Sequence, residues 1–308
     1  MPVTIFSFAV MVDNACICQH HTNTMSDDTL GYYNTADLRE AARRRLPRGL
    51  FEFMDRGNDD EVAMRENRMA LESIKLSPRV LIDVTGRSQE ITLFGKQQKM
   101  PVIVAPTGST GLAWYEGEIA LARAARTHGV PFTLALGSMT KLERVAQEAG
   151  GNLWFQFYMW PERKLWPHKL IVKGIQHPHD AVLAADCGAD AVVISNHGGR
   201  VLDAAPVPIL TLPRVVDAVG KRITVIVDSG FRRGSDVIKA LALGANAVMI
   251  GRAPLHGTAA AGEAGATRAL QIYRDEIDRV LALVGVTGIE QLTREHVDMR
   301  YVRGGESS

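Results

Sequence analysis

The chain has 308 residues, 46% of them hydrophobic and 22% charged, an ordinary globular composition able to bury one large barrel or two smaller domains. Its 35 basic and 34 acidic residues leave a net charge of +1 with no long run of either sign, so nothing in the balance invites nucleic acid. Three cysteines, Cys16, Cys18 and Cys187, make no disulfide framework and fit a reducing, cytoplasmic compartment.

The stretch from Val3 to Val12 is apolar but lacks a basic leader and is too short to span a bilayer, which argues against a signal peptide or membrane helix. Cys16, Cys18, His20 and His21 have ligand chemistry, yet their spacing matches no usual zinc site and no second half-site exists. Met25-Ser26-Asp27-Asp28 reads as a start, so residues 1–24 are expected to be either a disordered extension or an upstream translation artefact, and 25–308 a single barrel domain. Asn34 or Thr35 can cap a helix through Leu38, Ala41, Ala42 and Leu46, closed by Pro47 and Gly49, and a second helix follows near Leu50 to Met54.

Seven short β-branched runs then alternate with helical patterns. They are Pro101 to Thr107, Pro131 to Gly137, Leu153 to Tyr158, Lys169 to Ile175, Ala191 to His197, Ile223 to Ser229 and Ala247 to Arg252. Near-continuous apolar strands alternating with helices imply a parallel sheet covered on both faces. The fold class is therefore α/β: a TIM-type (β/α)8 barrel lacking about one βα unit, with seven strand candidates, preceded by N-terminal helices. The missing unit is inferred from the linker Met159 to His168, about ten residues where a parallel crossover needs a dozen or more. Extended, it reaches about 33 Å, enough to return to the opposite rim but leaving a gap with exposed strand edges.

The strand ends carry the chemistry. Ser195-Asn196-His197-Gly198-Gly199-Arg200 places an imidazole and a guanidinium where a strand becomes a loop, with glycines that let a flat ligand approach the backbone. Asp228-Ser229-Gly230-Phe231-Arg232-Arg233-Gly234 and Gly251-Arg252 supply glycines, arginines and a helix start where barrels hold phosphate. Lys173 ends an apolar strand, and burying its charge is costly without an anionic partner. A base, a carboxylate clamp and a phosphate site on one rim imply a phosphorylated cofactor and redox or isomerisation chemistry on a small acid.

These motifs, with Pro106-Thr107-Gly108, Leu153-Trp154-Phe155-Gln156 and Leu165-Trp166-Pro167-His168-Lys169-Leu170, resemble the FMN-dependent α-hydroxy acid oxidases and dehydrogenases, and within them the mandelate-oxidising branch. The resemblance runs from about Leu38 to about Gly285. It implies FMN as cofactor and oxidation of an L-2-hydroxy acid, mandelate- or lactate-like, to the 2-oxo acid. His197 would be the base, removing a proton as two electrons pass to flavin N5. Arg200 would clamp the substrate carboxylate and Tyr158 would meet its hydroxyl. Lys173 would sit at flavin N1–O2. Thr107, Gly108, Ser138, Gln156 and Ser195 would lie near the ring or ribityl chain, and Asp228, Ser229, Gly230, Phe231, Arg232, Gly251 and Arg252 would hold ribityl and phosphate.

Two departures follow from the same resemblance. The family usually has tyrosine where Phe53 stands, which implies weaker hold on the substrate carboxylate. The absent unit would include a strand with a threonine and an aspartate, a second substrate arginine, and the membrane segment of the membrane-associated members, so peripheral membrane association is not expected. The electron acceptor, whether quinone, electron-transfer protein or oxygen, is left open, and a homotetramer is the usual family assembly. Two alternatives stay open beside the dehydrogenase: a catalytically impaired flavin-binding remnant, and another FMN barrel such as an isomerase using reduced flavin.

Overall fold

The computed structural model describes residues 7–12, 31–158 and 168–302. Strand β1 (Ser7–Val12) comes first, followed by three helices outside the barrel: α1 (Thr35–Arg45), α2 (Arg48–Asp55) and α3 (Val62–Ser73). Asn34 caps α1 as its sequence predicts. Its side chain accepts from the Ala36 and Asp37 amides while the Asp37 carboxylate accepts the Asn34 N–H. Next come β2 (Lys75–Leu76) and a hairpin of β3 (Ile91–Leu93) and β4 (Lys96–Gln98).

The alternating body then runs β5 (Val102–Val104), α4 (Thr110–Ala113), α5 (Gly117–Thr127), β6 (Phe132–Ala135), α6 (Leu142–Glu148) and β7 (Leu153–Tyr158). It resumes with β8 (Leu170–Ile175), α7 (Pro178–Asp186), β9 (Ala191–Ile194), α8 (Pro208–Val219), β10 (Thr224–Val227), α9 (Gly234–Ala242), β11 (Ala247–Ile250) and α10 (Arg252–Val284). Short β12 (Val297–Asp298) pairs back with β2. All seven strand candidates are present: Leu153–Tyr158 has the expected bounds, Lys169 to Ile175 loses only its first residue, and the other five lose the residues that leave the ladder for a rim loop. They make a TIM-type barrel with parallel pairing from β5 to β7 and from β8 round to β11 and β5.

Closure is where the structure departs from the sequence. The expected gap between β7 and β8 is filled by β1, which lies antiparallel to both, with Ser7 opposite Tyr158 on one side and Lys173 on the other. Ser7–Val12, expected within a disordered extension, is thus a barrel strand. The physical reason is edge satisfaction: β7 and β8 each present a row of N–H and C=O groups, and a β-forming segment from the same chain pairs with both rows. The predicted metal-like cluster at Cys16, Cys18, His20 and His21, the start at Met25, and linker residues 159–167 lie outside the described residues.

The core follows the strand period of two. Ile103, Trp154, Ile171, Ala191, Val193, Ile226, Ala247 and Met249 fill the barrel interior, while alternate residues such as Val102, Val104, Val192, Val225, Val227 and Val248 face the helices. The β3–β4 hairpin seals one end, with Phe94 edge-on to Trp154 at 5.9 Å. Truncating a buried aliphatic of this interior to alanine typically costs about 2–5 kcal/mol, so the barrel is a packed core and only its rim is free to carry a site.

Candidate active site

At the C-terminal ends of the strands lies a cavity of about 350 Å³. Of the residues singled out in the sequence, Thr107, Gly108, Gln156, Tyr158, Lys173, His197, Arg200, Asp228, Ser229, Gly230, Phe231, Arg232, Gly251 and Arg252 line it. Phe53 lines it too, whereas Ser138 and Ser195 do not. The ring of Phe231 is buried in the outer core, where its carbonyl accepts the Tyr273 hydroxyl at 3.0 Å.

The β9–α8 loop is built to hold a strained backbone. His197, Gly198 and Gly199 have φ of +56, +66 and +74°, a left-handed run that glycine adopts freely and histidine does not. Side chains fix each N–H: Ser195 Oγ accepts from His197, Ser229 Oγ from Gly198, and Asn196 Oδ1 from Gly199, at 3.0, 3.0 and 3.1 Å. Arg252 Nη1 donates to the Gly198 carbonyl at 2.9 Å. A Cβ on Gly199 would stand 2.7 Å from the backbone N of Met64, so the close seating of this loop on α3 requires glycine.

Ser195 is therefore a support. Its hydroxyl accepts from the buried Lys173 ammonium at 2.6 Å as well as from His197 N–H. Lys173 also pairs with Asp228 Oδ2 at 2.5 Å, and Ser229 donates to Asp228 Oδ1 at 2.8 Å. The cost of burying the lysine is met by this carboxylate.

The His197 ring faces the open cavity, yet its place in the barrel mouth and the nearby Lys173 cation push it down from 6.5 to about 4, with Asp228 pulling the other way. It is a neutral imidazole at neutral pH, able to accept a proton. Arg200 donates to the Arg56 carbonyl at 2.8 Å and lies 5.4 Å from the centroid of Phe53, a cation–π contact. Burial lowers Arg200 and Arg232, and burial together with those two cations brings Arg252 down to about 10. Cations gathered against their own repulsion call for an anion.

The residues fit FMN on grounds internal to the chain. Two buried polar atoms of the lining residues have no protein partner, Arg252 Nε and Gln156 Nε2, although Gln156 Oε1 accepts from the Leu136 amide. Native proteins seldom leave such atoms unsatisfied, so these donors await a ligand or water. Arg232 and Arg252 suit a phosphate, and the flat approach past Gly108 and Gly198 suits a ring. Sequence reasoning missed Asn67 and Arg68 on α3. The signal was present: Asn67 falls on the helical stripe of Ala63, Ala70 and Leu71, where a polar residue is out of place.

Comparison with known proteins agrees. A family model described as FMN-dependent dehydrogenase matches residues 42–165 and 162–299. The (S)-mandelate dehydrogenase of Pseudomonas putida is 31% identical over 86% of this chain and 93% of that protein. The L-lactate dehydrogenase of Caulobacter vibrioides is 32% identical over 88% of this chain and 99% of that protein. A crystal structure of (S)-mandelate dehydrogenase, described as a monotopic membrane protein, superposes with a TM-score of 0.83 at 30% identity, covering 88% of this chain and all of the other. The mandelate dehydrogenase alignment spans 369 positions, more than the 308 residues present, and the two family-model matches meet at the short linker. That relative therefore carries residues with no counterpart in this chain. Among the described residues no helix is long and apolar enough to cross a membrane.

Proposed function

The chain belongs to the FMN-dependent dehydrogenase family, and from that premise we propose that it oxidises a small L-2-hydroxy acid, mandelate- or lactate-like, to the 2-oxo acid, with His197 as the base. The observation that carries the reading is the convergence of neutral His197, cationic Arg200, buried Lys173 and the glycine-arginine loops on one cavity. Bound FMN supplies the two-electron sink. Thr107, Gly108, Gln156 and Lys173 are suited to hold its ring, and Asp228, Gly230, Arg232, Gly251 and Arg252 its ribityl chain and phosphate.

Arg200 binds the substrate carboxylate through paired N–H donors and so orients the hydroxyl-bearing carbon toward the cavity. Tyr158, half-exposed at the rim, would meet the substrate hydroxyl. His197 accepts the proton and keeps it on its ring until it reaches solvent through the open face.

Anaerobic addition of (S)-mandelate or (S)-lactate to the FMN-loaded protein tests the reading: flavin bands that bleach support it. A second reading, a catalytically impaired flavin-binding remnant, is favoured by the residues that the mandelate dehydrogenase relative carries and this chain lacks. Flavin bands that survive every 2-hydroxy acid tried support the remnant. Fractionation of expressing cells tests the expected cytoplasmic location.

The acid limb of activity should reflect the depressed imidazole. Protonated His197 cannot act as a base, and its folded pKa lies below 6.5, so the bleaching rate should hold from pH 8 down through 6.5 and fall only as pH approaches about 4. A rate already halved at pH 6.5 would place the critical titration elsewhere.

Phe53 gives Arg200 a ring face but no hydroxyl. F53Y should add one hydrogen bond to a charged group and lower KM for the hydroxy acid by about tenfold, with little change in kcat. Steady-state kinetics would read this directly, and an unchanged KM would show that the substrate carboxylate lies out of reach of position 53.

A further inference from the structure

We propose that Asn67, a helix residue outside the barrel, is a positioning residue that sets the His197 loop through Asn196. The inference rests on the reading of His197 as the base. Asn67 Nδ2 donates to Asn196 Oδ1 at 2.9 Å, and Asn196 Nδ2 donates to Asn67 Oδ1 at 2.8 Å. Both residues are almost completely buried, Asn67 at 1% exposure and Asn196 at 2%. They stand 129 positions apart in sequence, so the pair fastens α3 to the end of β9.

Asn196 is saturated. Its Oδ1 also accepts from Gly199 N–H at 3.1 Å, and its Nδ2 also donates to the Pro206 carbonyl at 3.3 Å. Those two backbone contacts fix which way the Asn196 amide points, because a flipped amide would set donor against donor at Gly199 and acceptor against acceptor at Pro206. Asn67 then completes the amide from the other side. The result is that Asn196 holds Gly199 N–H through both its side chain and its own carbonyl, the latter at 3.0 Å, and with it the left-handed run that begins at His197. Residues in such backbone regions persist only where the surroundings over-determine them.

The same turn of α3 holds the other half of the site. Arg68 Nη1 donates at 2.6 Å both to the Gly230 carbonyl and to Asp236 Oδ2. A Cβ on Gly230 would lie 2.9 Å from the Asn67 Cβ, so this loop and Asn67 are already in contact. Consecutive residues of one helix thus set the base loop and the glycine-arginine loop in register. A shift of about 1 Å between a base and its proton donor can lower a rate about a hundredfold, so this register matters to the chemistry.

N67D tests the proposal with almost no change in volume. The carboxylate still accepts from Asn196 Nδ2 but cannot donate to Asn196 Oδ1, which then faces an anion. The expected result is a fall of about 10- to 100-fold in kcat, with KM and the FMN dissociation constant within about twofold. Amide hydrogen exchange at Gly199 should quicken by at least about tenfold against other β9–α8 amides. N67A is the second variant, and in a double-mutant cycle N67A/N196A should be scarcely worse than N196A alone.

Unchanged Gly199 exchange in N67D would overturn the inference. So would a loss shared evenly by all core amides together with FMN affinity, which marks general destabilisation. Should the wild-type chain turn over no 2-hydroxy acid, the dehydrogenase reading fails by itself, and Gly199 exchange still decides whether Asn67 holds the loop.

Discussion

His197→Asn is expected to slow anaerobic flavin bleaching by about a thousandfold, at the middle of the range general bases contribute and worth about 4 kcal/mol of barrel-mouth chemistry. Asparagine is the informative replacement because position 197 has φ of +56°, and asparagine tolerates that region better than most side chains. The loop should therefore keep its shape while losing the imidazole. Its N–H contact to Ser195 Oγ and the Lys173–Asp228 pair do not involve the ring, so FMN affinity should stay within about twofold of wild type. Stopped-flow absorbance gives the rate and a flavin fluorescence titration gives the affinity. A rate within tenfold of wild type would remove His197 from the role of base. Lost FMN affinity would instead assign the ring to cofactor binding.

What could be read from the sequence divides by the range of the interaction. The seven barrel strands were legible because an apolar run between turn residues is local information, and so were the rim motifs, since a glycine-rich loop directly after a strand carries its own geometry. Lys173 could be named on the same grounds, as a charge ending an apolar strand, whereas Phe53 could be named only through the family resemblance. Strand β1 could not, because Ser7–Val12 becomes a strand only through partners at Leu153–Tyr158 and Leu170–Lys173. An apolar segment without a partner in view reads as a tail. Asn67 stood out as a polar residue on an apolar stripe, but its meaning lies in Asn196, and only the folded chain brings the two amides together.

The same non-locality gives the removal of β1 a large expected cost. A chain begun at Met25 would lack the strand and leave the edges of β7 and β8 without their partner along six and four residue pairs respectively. Backbone hydrogen bonds contribute about 1 kcal/mol each net, and an edge left in a dry interior costs more, so the loss should be roughly 5 kcal/mol. A subtler change, Ala9→Pro, removes one N–H in the middle of a strand paired on both sides, opposite Gln156 and Ile171, and should cost about 3 kcal/mol. Because Tyr158, Gln156 and Lys173 sit on the strands that β1 joins, both changes should weaken FMN binding along with stability. Urea unfolding midpoints and FMN dissociation constants for the full chain, the Met25 chain and A9P measure the two effects together. Equal midpoints for all three would mean that β7 and β8 close the barrel without β1. A lowered midpoint with FMN affinity retained would mean that the strand supports the barrel while the site is held from the other side, by the β9, β10 and β11 loops and by α3.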